Sequence, residues 1–374
     1  MTIDSYDAVV VGAGPAGSMT ARELARRGAR VLLVDRATFP RSKVCGCCVN
    51  PRALHVLELA GLGGLAASLG AVPLTSMELA SGGRRAVIGH PLGVALSREA
   101  FDLALIEAAM DAGASFEPGT TATLLQRDDD GGRGVRLRRD GVEWRVRGRF
   151  VVSATGLADS LAEGGGPAGG RGHRLAAGSK IGAGCVAPRV PDGYAAHRIW
   201  MACGADGYVG LVALEDGRLD LAAAMRPEAV RDAGGIGRLA AEILATAGLP
   251  PVPGVESLAW KGTPALTRTA HKLAEGGVFR VGDAAGYVEP FTGEGMAWAL
   301  AGALKLAEIL ACGDPSTAER AWAEAHRREV GRRQVVCRAA RLVLRTPWMM
   351  RGLLPILRGW PTLARPVIRA MHHA

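Results

Sequence analysis

Three clusters of residues in this chain have types and spacings that can do chemistry. The first is Gly12-Ala13-Gly14-Pro15-Ala16-Gly17, with Asp35 following 18 residues after Gly17. Gly12 permits a tight turn out of a strand. Gly14 lacks the Cβ that would keep a pyrophosphate off the backbone, and Gly17 lets a helix pack close to the strand. A helix starting at Pro15 offers unpaired N–H groups and partial positive charge to phosphate oxygens. Asp35 can accept hydrogen bonds from ribose hydroxyls. The second cluster is Gly282-Asp283 with the turn Pro290, Gly293, Gly295 and Met296. The third is Lys43 with Cys45, Gly46, Cys47 and Cys48, an ammonium and three thiols close together in one loop.

The surrounding elements give the first cluster its context. Residues 8–11 are a short apolar run, a helix-like stretch reaches Arg27, and residues 31–34 form a second apolar run ending on Asp35. Strand, glycine turn, helix, strand and acid in that order mark an adenine-dinucleotide site. That pattern alone does not separate FAD from NAD. The second cluster does: residues 278–281 read as a strand ending at Gly282-Asp283, and Pro290–Gly295 as a turn opening a helix. An aspartate at a strand end can hold a chain of sugar hydroxyls. A helix start beside a flavin can stabilise negative charge on the reduced ring. A nicotinamide site has no need of this second turn, so FAD is the expected cofactor.

Between the clusters, Pro51 opens a helix over 52–59 that stops at Gly61. Residues 72–80 and 84–89 read as strands around Ser81-Gly82-Gly83, and Ser97 as the N-cap of a helix to Met110. Strands are expected at 115–126, 134–139, 142–147 and 149–153, with Asp140-Gly141 as a hairpin turn. Residues 161–172 form a Gly-rich loop. Short strands over 173–224 suggest an antiparallel sheet, followed by a helix over 227–247 and a strand over 255–263 returning to the first domain. The expected architecture is α/β. A Rossmann-type FAD-binding domain occupies 1–71, 97–160 and 262–325. An inserted antiparallel-sheet substrate domain occupies 72–96 and 173–261, and a basic helical cap occupies 326–374.

With these pieces in place, the chain resembles the p-hydroxybenzoate-hydroxylase-type FAD superfamily and, within it, the geranylgeranyl-reductase-like family. That group is related to flavin-dependent halogenases. The matching residues are the glycine fingerprint, Asp35-Arg36, Lys43-x-Cys45-Gly46, Ser97-Arg98-x-x-Phe101-Asp102, and Gly282-Asp283 with Pro290-x-x-Gly293-x-Gly295. The resemblance implies a glutathione-reductase-like FAD fold. It implies that Arg98 lies near the FAD phosphate or ribityl region and that Asp283 binds the ribityl chain. Gly293 to Met296 would lie beside the pyrimidine end of the flavin, and Arg41 to Cys48 near its face. Two departures stand out: Thr155-Gly156 replaces the family's usual Asp-Gly, and Cys47 and Cys48 add thiols to the usual single Cys.

The thiols admit several readings. Zinc needs four well-spaced ligands, and no second Cys pair or nearby His pair is visible, so no metal is expected. Cys45 and Cys48 have Cys-x-x-Cys redox spacing without the usual thioredoxin-like helix context. The favoured reading is a flavin pocket shaped by small, polarisable residues. Lys43 could protonate or orient a substrate, activate an oxidant as in halogenases, or face phosphate or solvent. Lys43 and Cys45 are the catalytic candidates. Glu294 sits in the flavin turn and reads as a structural acceptor.

Composition bounds the rest. A chain of 374 residues that is 48% hydrophobic and 22% charged can build two cored domains and is not disordered. Seven Cys after a start lacking a basic n-region read as reduced, cytoplasmic thiols. No stretch matches an uncharged membrane span. From His326 onward there are eleven Arg against one acid, a local +10, so the net +9 leaves the remainder near −1. No nucleic-acid recognition module accompanies this charge. The arginines of 334–370 alternate with apolar runs broken by prolines. Such a tail can cap the fold, cover an apolar tunnel, dock an acidic carrier protein, or bind an anionic membrane peripherally.

The expected activity is that of an FAD-dependent oxidoreductase acting on a hydrophobic, aromatic or polyketide/lipid-like molecule, with NAD(P)H as external reductant. Monooxygenation comes first. Reduction of a C=C bond in a prenyl or polyketide substrate is the alternative, and halogenation the lesser one. The Trp-x-Trp-x-Ile-Pro element of tryptophan-type halogenases is absent.

Overall fold

The computed structural model describes residues 3–127, 132–158, 161, 172–289, 293–331 and 347–366. Its first sheet carries the fingerprint. Asp4–Val11 lies at the centre, parallel to Val31–Val34 on one side and to Val142–Ser153 on the other. Ser115–Glu117 and Val278–Arg280 extend the parallel set outward. The central strands are apolar on both faces because helices cover one side and a hairpin, Thr121–Arg127 with Arg133–Arg139, covers the other. Helices Pro15–Ala25, Arg98–Asp111 and Glu294–Cys312 pack together on the helical side. Among the described residues, Glu294–Cys312 is the one helix long and apolar enough to cross a membrane. Here its apolar face is core, shared with Leu24, Leu33 and Phe279.

The second sheet has eight strands. In spatial order they are Lys261–Ala265, Ile181–Ala187, Leu219–Met225, Gly207–Ala213, Arg198–Cys203, Val72–Ser81, Arg84–Ala95 and Cys48–Val49. All neighbours are antiparallel except Arg198–Cys203 with Val72–Ser81. The helix Ile236–Ala247 packs on one face. Cys48–Val49 matters for the site. It joins this sheet at Ala95 and Val94, while the loop before it begins at the first sheet. The thiol loop is therefore fixed at both ends, one in each sheet.

Several elements differ from the sequence reading. The strand expected to end at residue 89 runs to Ala95, because Gly93 takes φ +94° and keeps the pairing through a register shift. The 115–126 run is two strands, broken at Pro118-Gly119, and 142–153 is one continuous strand. The long helix over 227–247 is two, Pro227–Asp232 and Ile236–Ala247. Gly234 and Gly235, both at positive φ, break the backbone between them. The strand expected over 255–263 is corrected: Val255–Ser257 is a 3-10 turn, and Lys261–Ala265 pairs with Ile181–Ala187 in the second sheet. The chain re-enters the first sheet only at residues 274–280. Most of the 161–172 loop lies outside the described residues. So does much of the tail, including Arg338, Arg341, Arg345 and Arg369.

Candidate active site

One cavity of about 1240 Å³ runs from the glycine fingerprint to the second sheet. Two helices begin on it. Gly14 is the N-cap of Pro15–Ala25 and Gly293 the N-cap of Glu294–Cys312, and neither has a side-chain capping bond. Two other helix starts carry caps: Asn50 Oδ1 accepts from the Ala53 amide and Ser97 Oγ from the Ala100 amide. Uncapped starts facing a cavity leave first-turn N–H groups for an anionic ligand. The glycines also set the spacing. A Cβ at Gly17 would lie 1.7 Å from the Gly12 carbonyl oxygen, so the helix packs closer to the turn than any side chain allows. Gly293, at φ +75°, abuts the backbone of Cys48, where a Cβ would meet the carbonyl oxygen at 3.1 Å.

Charge at the fingerprint end is tightly organised. Arg98 and Asp102, 6% and 0% exposed, form a two-point pair, Nε–Oδ1 at 2.8 Å and NH2–Oδ2 at 2.7 Å. Arg41 lies 3.6 Å from Asp102 and 3.8 Å from Asp35. Both guanidinium groups approach Gly14, 3.8 Å from where its Cβ would be. Burial alone would weaken the Arg98 cation, but Asp102 and Cys45 together outweigh it and raise its pKa. For Arg41, burial wins over the two carboxylates and the shift is downward. Asp35 already accepts from the Ala13 amide at 2.7 Å and the Ala37 amide at 2.8 Å, which aims its carboxylate at the turn.

The thiol loop lies between this end and the second sheet. Lys43 reaches the backbone at Gly156, 3.2 Å from where a Cβ would stand. Burial, then Arg98, pulls its pKa down. Interaction with Cys47, and then the Arg98 charge, lowers the Cys45 pKa against burial. Cys47 is shifted upward by Cys45 and by burial, and Cys48 upward by burial. The Cys48 thiol donates to the Gly46 carbonyl at 2.9 Å. All three are free thiols.

Gly12, Gly14, Pro15, Ala16, Asp35, Arg36, Arg41, Lys43, Cys45, Gly46, Arg98, Gly282, Asp283, Gly293, Gly295 and Met296 all line the cavity. Gly17 does not line it; it packs behind the turn. Pro290 lies outside the described residues. The sequence reading missed the wall opposite. Ile199, Met201, Gly210, Val212, Ala222 and Ala224 present an apolar face of small and medium side chains. Tyr208, Tyr287 and Glu289 add a polar corner. Burial, then Glu289, raises the Tyr208 pKa, and Lys180 stands 3.7 Å from Glu289. The two-residue alternation of strands 207–213 and 219–225 carried the signal for this wall: it puts Tyr208, Gly210 and Val212 on one face.

The residues fit FAD. Paired guanidinium groups flank a glycine at one uncapped helix start. A second uncapped start lies at the other end, and the cavity spans both. Comparisons agree. A digeranylgeranylglycerophospholipid reductase of Methanosarcina mazei is 34% identical over 164 residues, 42% of this chain and 39% of that protein. A menaquinone reductase of Mycobacterium tuberculosis is 36% identical over 165 residues, again 42% and 39%. The chain thus matches about two fifths of the length of these curated relatives. A geranylgeranyl bacteriochlorophyll reductase-like structure from Thermoplasma acidophilum superposes with TM-score 0.79 at 20% identity, covering 100% of this chain and 97% of that one. The flavin-dependent brominase Bmp2 gives 0.78 at 17%, covering 98% and 93%. These likenesses concern the fold. The FAD binding domain family matches residues 5–339, and the chain belongs to it.

Proposed function

We propose that this protein reduces a carbon–carbon double bond in a long apolar molecule of prenyl or polyketide type. The observation that carries the reading is the wall of Ile199, Met201, Gly210, Val212, Ala222 and Ala224, which meets the thiol loop where Ala222 approaches Gly46. A face without charge and with small side chains accepts a hydrocarbon chain and excludes water. The sequence relatives bear reductase names, which favours reduction over the oxygenation first expected. When bound and reduced by NAD(P)H, FAD would supply the hydride equivalent that one carbon of the double bond takes up. The other carbon takes a proton. Tyr208, on the cavity wall, retains its phenolic proton because burial and Glu289 disfavour the phenolate. Arg98, Cys45 and Lys43 border the same space. NAD(P)H is the proposed external source of the hydride.

The test is anaerobic. Reduced holoenzyme is mixed with a geranylgeranyl lipid, and product carrying added hydrogen is followed by mass spectrometry. Product formed without O2 supports reduction. Product that appears only with O2 and carries an added oxygen atom replaces this reading with the monooxygenase one. Tyr208→Phe is expected to slow the single turnover by about 10²-fold, in the range of general acid catalysis, with the bound-flavin spectrum retained.

A further inference from the structure

The helix Pro347–Gly359 has two faces with different partners. Met350, Leu354 and Leu357 are buried against the second sheet, in one apolar cluster with Met77, Ile88, Ile199 and Met201. Ile199 and Met201 also line the cavity. The helix is tied to the 81–84 hairpin by an Arg84 bond to the Arg351 carbonyl at 2.7 Å. The turn that follows, Pro361–Ala364, is anchored by Ala364 in the same cluster. This ordered frame holds three large apolar side chains in solvent: Ile356, Trp360 and Leu363, 45%, 66% and 57% exposed. Backbone bonds from Trp360 to the Ile356 carbonyl and from Leu363 to the Trp360 carbonyl fix their spacing. Arg351, Arg358 and Arg365 are exposed on the same segment, and residues 347–366 contain no acid.

We propose that this segment lays the protein on an anionic lipid bilayer. Ile356, Trp360 and Leu363 enter the headgroup–acyl boundary, and Arg358 and Arg365 engage anionic headgroups. Large apolar side chains held out of a folded surface mark an interaction site. Trp is favoured at a membrane interface because its ring is apolar and its N–H polar. Arginines on a segment without a carboxylate complement a negative surface. An acidic protein would satisfy the arginines but gives no reason for a Trp and two aliphatic side chains to project beyond them. The opposite face of the same helix closes the apolar cluster that continues into the cavity wall. Docking would thus place that wall near the bilayer, whichever reaction the flavin performs.

The test is vesicle flotation of the full-length holoenzyme. Binding is expected to vesicles of phosphatidylcholine with phosphatidylglycerol, to weaken with added salt, and to be weak on phosphatidylcholine alone. Trp360→Ala with Leu363→Ala is expected to lower the bound fraction about tenfold, the scale set by the apolar area withdrawn. Retained flavin and an unchanged thermal transition establish that the variant is folded. Arg358→Gln with Arg365→Gln is expected to remove the preference for anionic vesicles. Equal binding by the Trp360/Leu363 variant, or no binding of the parent to anionic vesicles, overturns the proposal. So does a dimer, or retention on an acidic protein matrix, that the same substitutions abolish while vesicles stay unbound. Those results would give the patch to a second copy or to a protein partner.

Discussion

Charge pairing at single residues decides whether the cofactor end can exist. Arg98 and Asp102 are both out of water, so neither tolerates loss of the other. Arg98→Leu is expected to cost about 3–5 kcal/mol, because it strands a buried carboxylate. Adding Asp102→Leu should recover most of that in urea unfolding. FAD retention on desalting should stay lost in both variants, since the guanidinium beside Gly14 is gone. Asp220 is a different case. It is buried behind the thiol loop on the strand Leu219–Met225, and burial, then Cys45, pushes its pKa well above the usual carboxylate range. The folded protein then keeps a proton that the unfolded chain releases near pH 4, so this group's contribution to stability falls as pH rises. Cys47 and Arg218 oppose the shift, and Glu99 adds to it. Asp220→Asn is therefore expected to gain melting temperature relative to the parent between about pH 5 and about pH 8. A constant difference across that range would mean that Asp220 is ionised throughout.

At the scale of elements, two glycines act by what their missing Cβ permits. Gly17→Ala would drive a methyl into the Gly12 carbonyl, and Gly293→Ala would strain φ +75° and crowd Cys48. Both are expected to yield protein with little bound FAD by absorbance. Gly61→Ala is the control. It is also at positive φ, +76°, but nothing stands within 4 Å. It should lower the melting temperature modestly and leave FAD bound, because only backbone strain is added. The contrast separates a glycine kept for conformation from one kept for close approach.

In the molecule as a whole, the cavity belongs to neither sheet alone. The fingerprint end is built by the parallel sheet and its helices, the wall by the antiparallel sheet, and the thiol loop bridges them through Cys48–Val49. Enlarging a wall residue should therefore affect substrate and not cofactor. Ala224→Phe is expected to raise KM for a long-chain substrate about tenfold or more by filling the chain's space. Flavin content, measured by absorbance, should not change.

The residues at the fingerprint end of the cavity were legible in the sequence almost one by one. Glycine turns, the acid after the second strand and the Gly282-Asp283 strand end are local features, and local backbone demands appear in residue type at fixed spacing. Sixteen of the residues singled out there line one cavity. Tertiary structure decided the rest. That Tyr208, Glu289 and Lys180 meet depends on three segments far apart in the chain. That Lys261–Ala265 stays with the second sheet depends on pairing with Ile181–Ala187, which no local pattern encodes. The bond from the Cys48 thiol to the Gly46 carbonyl was likewise invisible in the spacing. It follows from Cys48 being drawn into a strand opposite Ala95, which turns its thiol back to the Gly46 carbonyl. Sequence spacing records what neighbours along the chain can do, and long-range pairing selects which of those options the folded protein uses.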